Sequence, residues 1–342
     1  MSNLRIVVLM HDGLIPPDSL TKEHDRETAE WKSEYDVVSG LRALGHDARP
    51  IGVSYDLTPI RDAIVDWKPH AAFNLLEEFH GVAVYDQHMA AYLELMRQPY
   101  TGCNPRGLML SHDKALSKKI LTYHRIDVPE FAVFPRGQKV RRPKNLEFPL
   151  LVKSATEDAS LGIAQASVVS NDAKLQDRVA YLHDQLATDA LVEQYIEGRE
   201  LYVGVLGNQR LRTFPAWEMS FSGMPEGTAH IATAKVKWDH KYQKKYGIAT
   251  GAAKDLPVGA AERLDKLSKR IYKTLALSGY ARMDFRLTPE GKFYVLEANP
   301  NPNLAQGEDY AESAAHAGLE YGELLQQILN LGLQYRAEWK LV

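Results

Sequence analysis

The segment from Tyr280 to Pro302, YARMDFRLTPEGKFYVLEANPNP, restricts the fold more than any other stretch of the chain. It reads as two short strands around a Pro-Glu-Gly turn. Met283, Phe285 and Leu287 are the apolar positions of the first strand, and Tyr294, Leu296 and Ala298 those of the second. Side chains alternate faces along a strand, so Arg282, Asp284, Glu297 and Asn299 share the opposite face. A four-residue loop, Pro289 to Lys292, pairs Leu287 with Tyr294, Phe285 with Leu296, Asp284 with Glu297 and Arg282 with Asn299. Opposed like charges with Cβ atoms roughly 4.5–5.5 Å apart destabilise a hairpin unless a cation lies between them. Two carboxylates and an amide oxygen suit a hard ion such as Mg²⁺. The plainer alternative is a solvated polar face with Arg282 and Arg286 as countercharges.

A chain of 342 residues is too long for one small core and divides into two or three units. Its net charge of −3 gives no general electrostatic attraction for nucleic acid. No stretch reaches the roughly 20 apolar residues of a membrane span. The single cysteine, Cys103, excludes an internal disulfide framework and fits a reducing cytoplasm. The opening run LRIVVLM is too short for a signal-peptide core and reads as a buried strand.

Strand and helix signals alternate through the first hundred residues. Strands are expected at Leu4–Met10, Asp47–Val53 and Ala71–Leu75, with helices ending at Leu44 and spanning Pro59–Trp67 and Val84–Met96. Such alternation implies an open, mostly parallel sheet with helices on both faces. A Rossmann fingerprint is absent, since the first strand runs into HDGLIP. The Pro/Gly-punctuated stretch Gln98–Gly107 marks a boundary. Beyond it, a helix Asp113–His124 capped at Ser111 precedes strands at Phe131–Phe134, Leu150–Lys153, Ala164–Val169 and Leu191–Tyr195, with a helix at Asp172–Leu186. Strands Leu201–Leu206 and Leu211–Trp217 come next, then irregular chain to about Pro257. The helix Ala260–Leu277, the hairpin and one helix from Tyr310 to Leu331 complete the pattern.

Two stretches could hold a nucleotide. Lys153 ends the buried run FPLLV, and the loop after it, SATEDASLG, carries Ser160 and small residues whose backbone N–H groups could approach phosphate. The second stretch, LVEQYIEGRE, joins two strands through Gly198, with Glu193 and Glu200 on either side of the link.

Taken in order, these features resemble the ATP-grasp superfamily and, within it, the D-alanine–D-alanine ligases. The likeness rests on YLELMRQPYTGCN, Asp113-Lys114, the strand ending in Lys153, the Glu193–Glu200 link, Ala234-Lys235, Arg282-x-Asp284 and LEANPNP. It implies a mixed α/β and α+β fold: an open parallel domain over residues 1–102, then two α+β subdomains, 103–196 and 197–342, that clasp ATP. Lys114 and Lys153 would touch phosphates, beneath the loop bearing Ser160. Glu193 and the backbone of Tyr195 and Ile196 would hold adenine, and Glu200 the ribose. Lys235 would close over the γ-phosphate from a lid between Ser220 and Leu256. Asp284, Glu297 and Asn299 would bind one or two Mg²⁺ or Mn²⁺ ions, with Arg282 beside the transferred phosphoryl group. The resemblance also implies a homodimer joined through the first domain.

The family activity is ATP-dependent joining of a small carboxylate to an amine through an acylphosphate. Departures gather on the substrate side. The family's Gly-Gly-x-Ser start and its following acidic residue are replaced by MHDGLIPPDS, and a Gly-Ser-Ser phosphate core by Asp158-Ala159-Ser160. The family's Ser-Pro-Gly-Met is here Asn301-Pro302-Asn303-Leu304, and His80 matches a substrate-side histidine. This pattern is expected of the same reaction on altered substrates, with D-alanine–D-alanine ligation as one candidate. A small-molecule kinase and a non-catalytic nucleotide-binding regulator are the alternatives.

Overall fold

The computed structural model describes residues 3–21, 26–156 and 162–340. The chain order is β1 (Arg5–His11), α1 (Lys32–Ala43), β2 (Asp47–Val53), α2 (Thr58–Asp62), β3 (Ala71–Asn74), α3 (Asp86–Leu95), α4 (Pro105–His112) and α5 (Lys114–Tyr123). Then come β4 (Phe131–Phe134), β5 (Leu150–Ser154), β6 (Val168–Val169), α6 (Asp172–Gln185), β7 (Ala190–Gln194), β8 (Arg199–Leu206), β9 (Arg212–Thr213) and β10 (Trp217–Phe221). The rest is α7 (Ala234–Trp238), α8 (His240–Lys245), β11 (Ile248–Ala252), α9 (Ala260–Thr274), β12 (Tyr280–Leu287), β13 (Phe293–Pro300), α10 (Asp309–His316) and α11 (Tyr321–Gln334).

Described strands form three sheets. The first is parallel, in the order β2-β1-β3, and its central strand is apolar because both faces are covered. Ile60 of α2 and Met89 and Leu93 of α3 cover one face, while Val37 and Leu41 of α1 and Leu325 and Ile328 of α11 cover the other. The second sheet is antiparallel, β4-β7-β5-β6, with Leu175, Val179 and Leu182 of α6 packed on it. The third runs β11-β10-β8-β12-β13, with β9 beside β8, and rests on Leu264 and Ile271 of α9.

Several expected elements differ. The helix after the boundary starts at Lys114, and its cap is Asp113, whose side chain accepts the Leu116 N–H at 2.8 Å. Ser111 instead belongs to α4, an unexpected helix begun by Asn104 and Pro105. Only Val168–Val169 of the expected strand 164–169 pairs in a sheet. The expected strand 211–217 splits into β9 and the start of β10. The stretch to Pro257 is not irregular: β10, α7, α8 and β11 lie within it. The final helix is two, divided at Gly318, whose φ of 75° is one that L side chains rarely adopt.

The hairpin differs by one residue. Arg282 faces Asn299 and Asp284 faces Glu297 as expected, but beyond a bulge Phe285 faces Val295 and Leu287 faces Phe293. Val295 and Phe293 therefore pack in the core with Phe285, whereas Leu296 turns to the same side as Glu297 and lines a cleft.

Cys103 is fully buried, and burial pushes its thiol up to about 12. Burial also lifts Glu34 of α1 to about 7, Glu77 adding to the effect; its Oε2 has no hydrogen-bond partner. With a reference value of 4.5 in the unfolded chain, the folded state binds more protons at Glu34 between pH 4.5 and 7. Stability from this group is therefore present below that window and lost as pH rises through it, by on the order of 3 kcal/mol. Glu34→Gln should be more stable than the parent at pH 8 and nearly equal near pH 4.5 in urea unfolding. Equal stability at both pH values would contradict this.

Candidate active site

An open cleft lies between the second and third sheets. Leu151, Ile163, Ile196, Ile231 and Leu296 give it apolar walls, and Lys153, Glu193, Glu200, Lys237, Asp284, Arg286 and Glu297 its charge. Apolar walls with a few polar groups suit a heterocycle carrying an anionic tail.

The link between β7 and β8 forms one edge. Gly198, at φ 147°, lies so near Leu287 that a Cβ there would stand 2.1 Å from the Leu287 carbonyl oxygen, so only glycine fits. Tyr195 and Ile196 line the cleft. The Tyr195 N–H already donates to Pro149 O at 3.0 Å, leaving its carbonyl as the group to offer.

Glu193, which sequence reasoning set against adenine, is held as a buried countercharge. Lys153 Nζ lies 3.0 Å from its Oε1 and Lys118 Nζ 3.0 Å from its Oε2. Burial opposes charge on all three groups. The lysines prevail at Glu193, which falls below the usual carboxylate range; Lys153 is raised and Lys118 lowered. Lys118 escaped the sequence reading. It stands four residues after Lys114, and that helical spacing was its only signal.

Glu200 also lies in the cleft, but its carboxylate is engaged by Arg286 Nη2 at 2.8 Å and Tyr202 Oη at 2.8 Å. Arg286 further donates to the carbonyls of Gly198 and His230. It is a fixed part of the wall rather than a surface countercharge.

Asp284 and Glu297 meet across one register pair at the cleft's polar end. Arg282 grips Asp284 with Nε at 2.8 Å and Nη2 at 2.9 Å, its guanidinium 4.7 Å from the centre of the Tyr202 ring. Burial, with Glu297 adding to it, still lifts Asp284 to about 6 against the pull of Arg282. Asn299 turns its amide nitrogen to Asp284 at 3.0 Å and Glu297 at 3.5 Å, so its oxygen would reach an ion only after the amide rotates. Two opposed carboxylates that resist joint ionisation, with an amide beside them, fit a divalent oxygen-seeking ion.

The other expected site residues fall as follows. Lys114 is buried at the start of α5 and is not among the residues lining the cleft. On the short helix α7, Lys235 points to solvent and Lys237 lines the cleft instead. Ser160 lies outside the described residues. His80 adopts φ 57°, its ring packed near Tyr55 and Phe79 and its N–H donating to Ser54 O. Asn303 spends its side-chain oxygen on the Ala305 N–H at 2.8 Å, within its own turn.

The family model described as D-ala D-ala ligase C-terminus matches residues 120–330. A D-alanine–D-alanine ligase of Syntrophotalea carbinolica is 33% identical over 257 residues, covering 73% of this chain and 75% of its own. A Sinorhizobium fredii protein described as uncharacterized protein y4sG is 32% identical over 304 residues, 86% of this chain and 85% of its own. The crystal structure of D-alanine–D-alanine ligase from Bacillus anthracis complexed with ATP matches 97% of this chain and 98% of its own, with a TM-score of 0.72 at 24% identity; it shows the shared fold. The chain therefore belongs to the D-alanine–D-alanine ligase family, ATP-dependent carbon–nitrogen ligases of the ATP-grasp fold.

Proposed function

We propose that the protein joins a small carboxylate to an amine, an amino acid or a short peptide, with cleavage of ATP to ADP and phosphate. The opposed Asp284 and Glu297 at the polar end of an apolar cleft carry this reading. The apolar walls would take adenine, and Lys153 and Lys237 would offset phosphate charge. Arg282, held by Asp284, would stabilise charge on the transferred group. Asp284, Glu297 and Asn299 would hold Mg²⁺, which would supply charge neutralisation between the phosphates. Among described residues no three His, Cys, Asp or Glu side chains converge on one point, so the ligand set in this reading is two carboxylates and an amide.

A donor carboxylate oxygen attacks the γ-phosphorus and ADP departs. The amine then attacks the acyl carbon of the acylphosphate, phosphate leaves, and the nitrogen gives up a proton. The enclosing walls serve to keep water from that reactive anhydride.

In this reading the substrates have diverged from the family's, since Asn303 binds its own turn and MHDGLIPPDS replaces the usual start. The enzyme would act in the cytoplasm as a homodimer joined through its first domain, independently of nucleic acid and membrane. Among described residues no helix is long and apolar enough to cross a membrane.

The test is a phosphate-release screen over paired amino acids and small acids, D-alanine included, with mass spectrometry of the products. An amide formed together with free phosphate is expected. A phosphorylated product without free phosphate would identify a kinase, and tight ATP binding without ADP formation a regulator.

A further inference from the structure

Two buried lysines, Lys118 and Lys153, pair with the one carboxylate of Glu193, while Glu297 acts on both from farther off. Both ammonium groups stand 3.0 Å from Glu193, whose side chain is only 1% exposed, and no other cation pairs with it among the described residues. The two lysines are not equivalent. Lys153 lines the cleft and Lys118 does not. Lys118 also donates to the Leu296 carbonyl on β13 at 3.1 Å, which ties it to a second partner away from the opening.

We propose that Lys118 is a positioning residue that frees Lys153 for the phosphates of the nucleotide, by remaining on Glu193 when Lys153 turns away. The inference rests on reading the cleft as the ATP site. Its physical basis is the asymmetry of buried ion pairs: losing one partner is costly because the other is left buried and uncompensated. With two lysines on one carboxylate, the departure of Lys153 leaves an intact Lys118–Glu193 pair. Without Lys118, Lys153 becomes the sole countercharge of Glu193, and a polyphosphate has to compete with a buried carboxylate for it. The loss should therefore fall on affinity for phosphates and spare affinity for the nucleoside.

The experiment measures ATP and adenosine affinity by calorimetry, with Mg²⁺ present, for the parent, Lys118→Met, Glu193→Gln and the double variant. The ratio of ATP affinity to adenosine affinity is the readout. Lys118→Met should lower that ratio about tenfold or more, and the double variant should return within about threefold of the parent, because Lys153 is no longer held. Glu193→Gln alone should keep or raise it. A merely structural role would weaken both ligands alike and leave the ratio unchanged, which overturns the proposal, as does a double variant no better than Lys118→Met. If Lys118→Met does not fold, Glu193→Gln and the double variant decide: equal ratios support the proposal, and a tenfold deficit in the double variant refutes it. A parent that binds ATP no more tightly than adenosine would remove the ATP reading itself, and that measurement comes first.

Discussion

Glu297→Ala should abolish ATP-dependent phosphate release while changing folding stability little. Glu297 faces Asp284 across the hairpin, and their mutual repulsion helps hold Asp284 up at about 6. Its attraction to the buried Lys118 and Lys153 works the other way, so without an ion its removal both relieves and costs the fold. With the ion, the same acids would fix charge opposite the phosphates. Losing about 4 kcal/mol of that stabilisation would slow turnover roughly 10³-fold. ADP production and thermal melting in the absence of Mg²⁺ check the two halves. Near-normal ADP production would remove the metal assignment; a large loss of stability would show that Glu297 acts instead as a structural partner.

Arg286→Met should be among the most destabilising single substitutions in the cleft wall. The side chains of Arg286 and Glu200 are only 5% and 7% exposed, and Arg286 gathers Glu200 with the carbonyls of Gly198 and His230. The methionine would leave Glu200 buried with only the Tyr202 hydroxyl as its neutral partner, at a cost of about 3–5 kcal/mol. Arg286→Met with Glu200→Gln should recover much of that loss, because no carboxylate is then left without a cation. Urea unfolding of the two variants tests this. A double variant as unstable as the single one would place the damage in packing and the lost carbonyl contacts rather than in stranded charge.

Period-two alternation put Asp284 and Glu297 on one face, but their facing does not follow from the expected turn: the strands pair one residue off beside the turn, and the bulge after Asp284 restores the offset. The bulge was not legible. YVLEA gives apolar residues at both phases, Val295 and Leu296, and only tertiary packing decides which of them meets the core. The first parallel sheet could be read from its apolar strands, whereas α4 hid within a Pro/Gly-rich stretch that suggested a boundary. Charged residues were misjudged in a consistent way. Glu193 and Glu200 were marked as cleft residues by their spacing around Gly198, but their cations come from Lys118 and Arg286, distant in sequence and joined to them only by folding. Lys235 and Lys237 share a short helix, and its rotation, which sequence does not show, turns the second toward the cleft.

The packing of α11 on α1 and β3 has a consequence for biosynthesis. Ile6, Val8, Val37 and Leu41 share one apolar cluster with Leu324, Leu325, Ile328 and Leu329. A ribosome makes the first group nearly three hundred residues before the second. Until α11 emerges, that side of the opening sheet has only α1 over it and is partly open to solvent, a sticky surface for chaperones or for another nascent copy. The sheet that starts this sequence is thus completed only by a helix made much later.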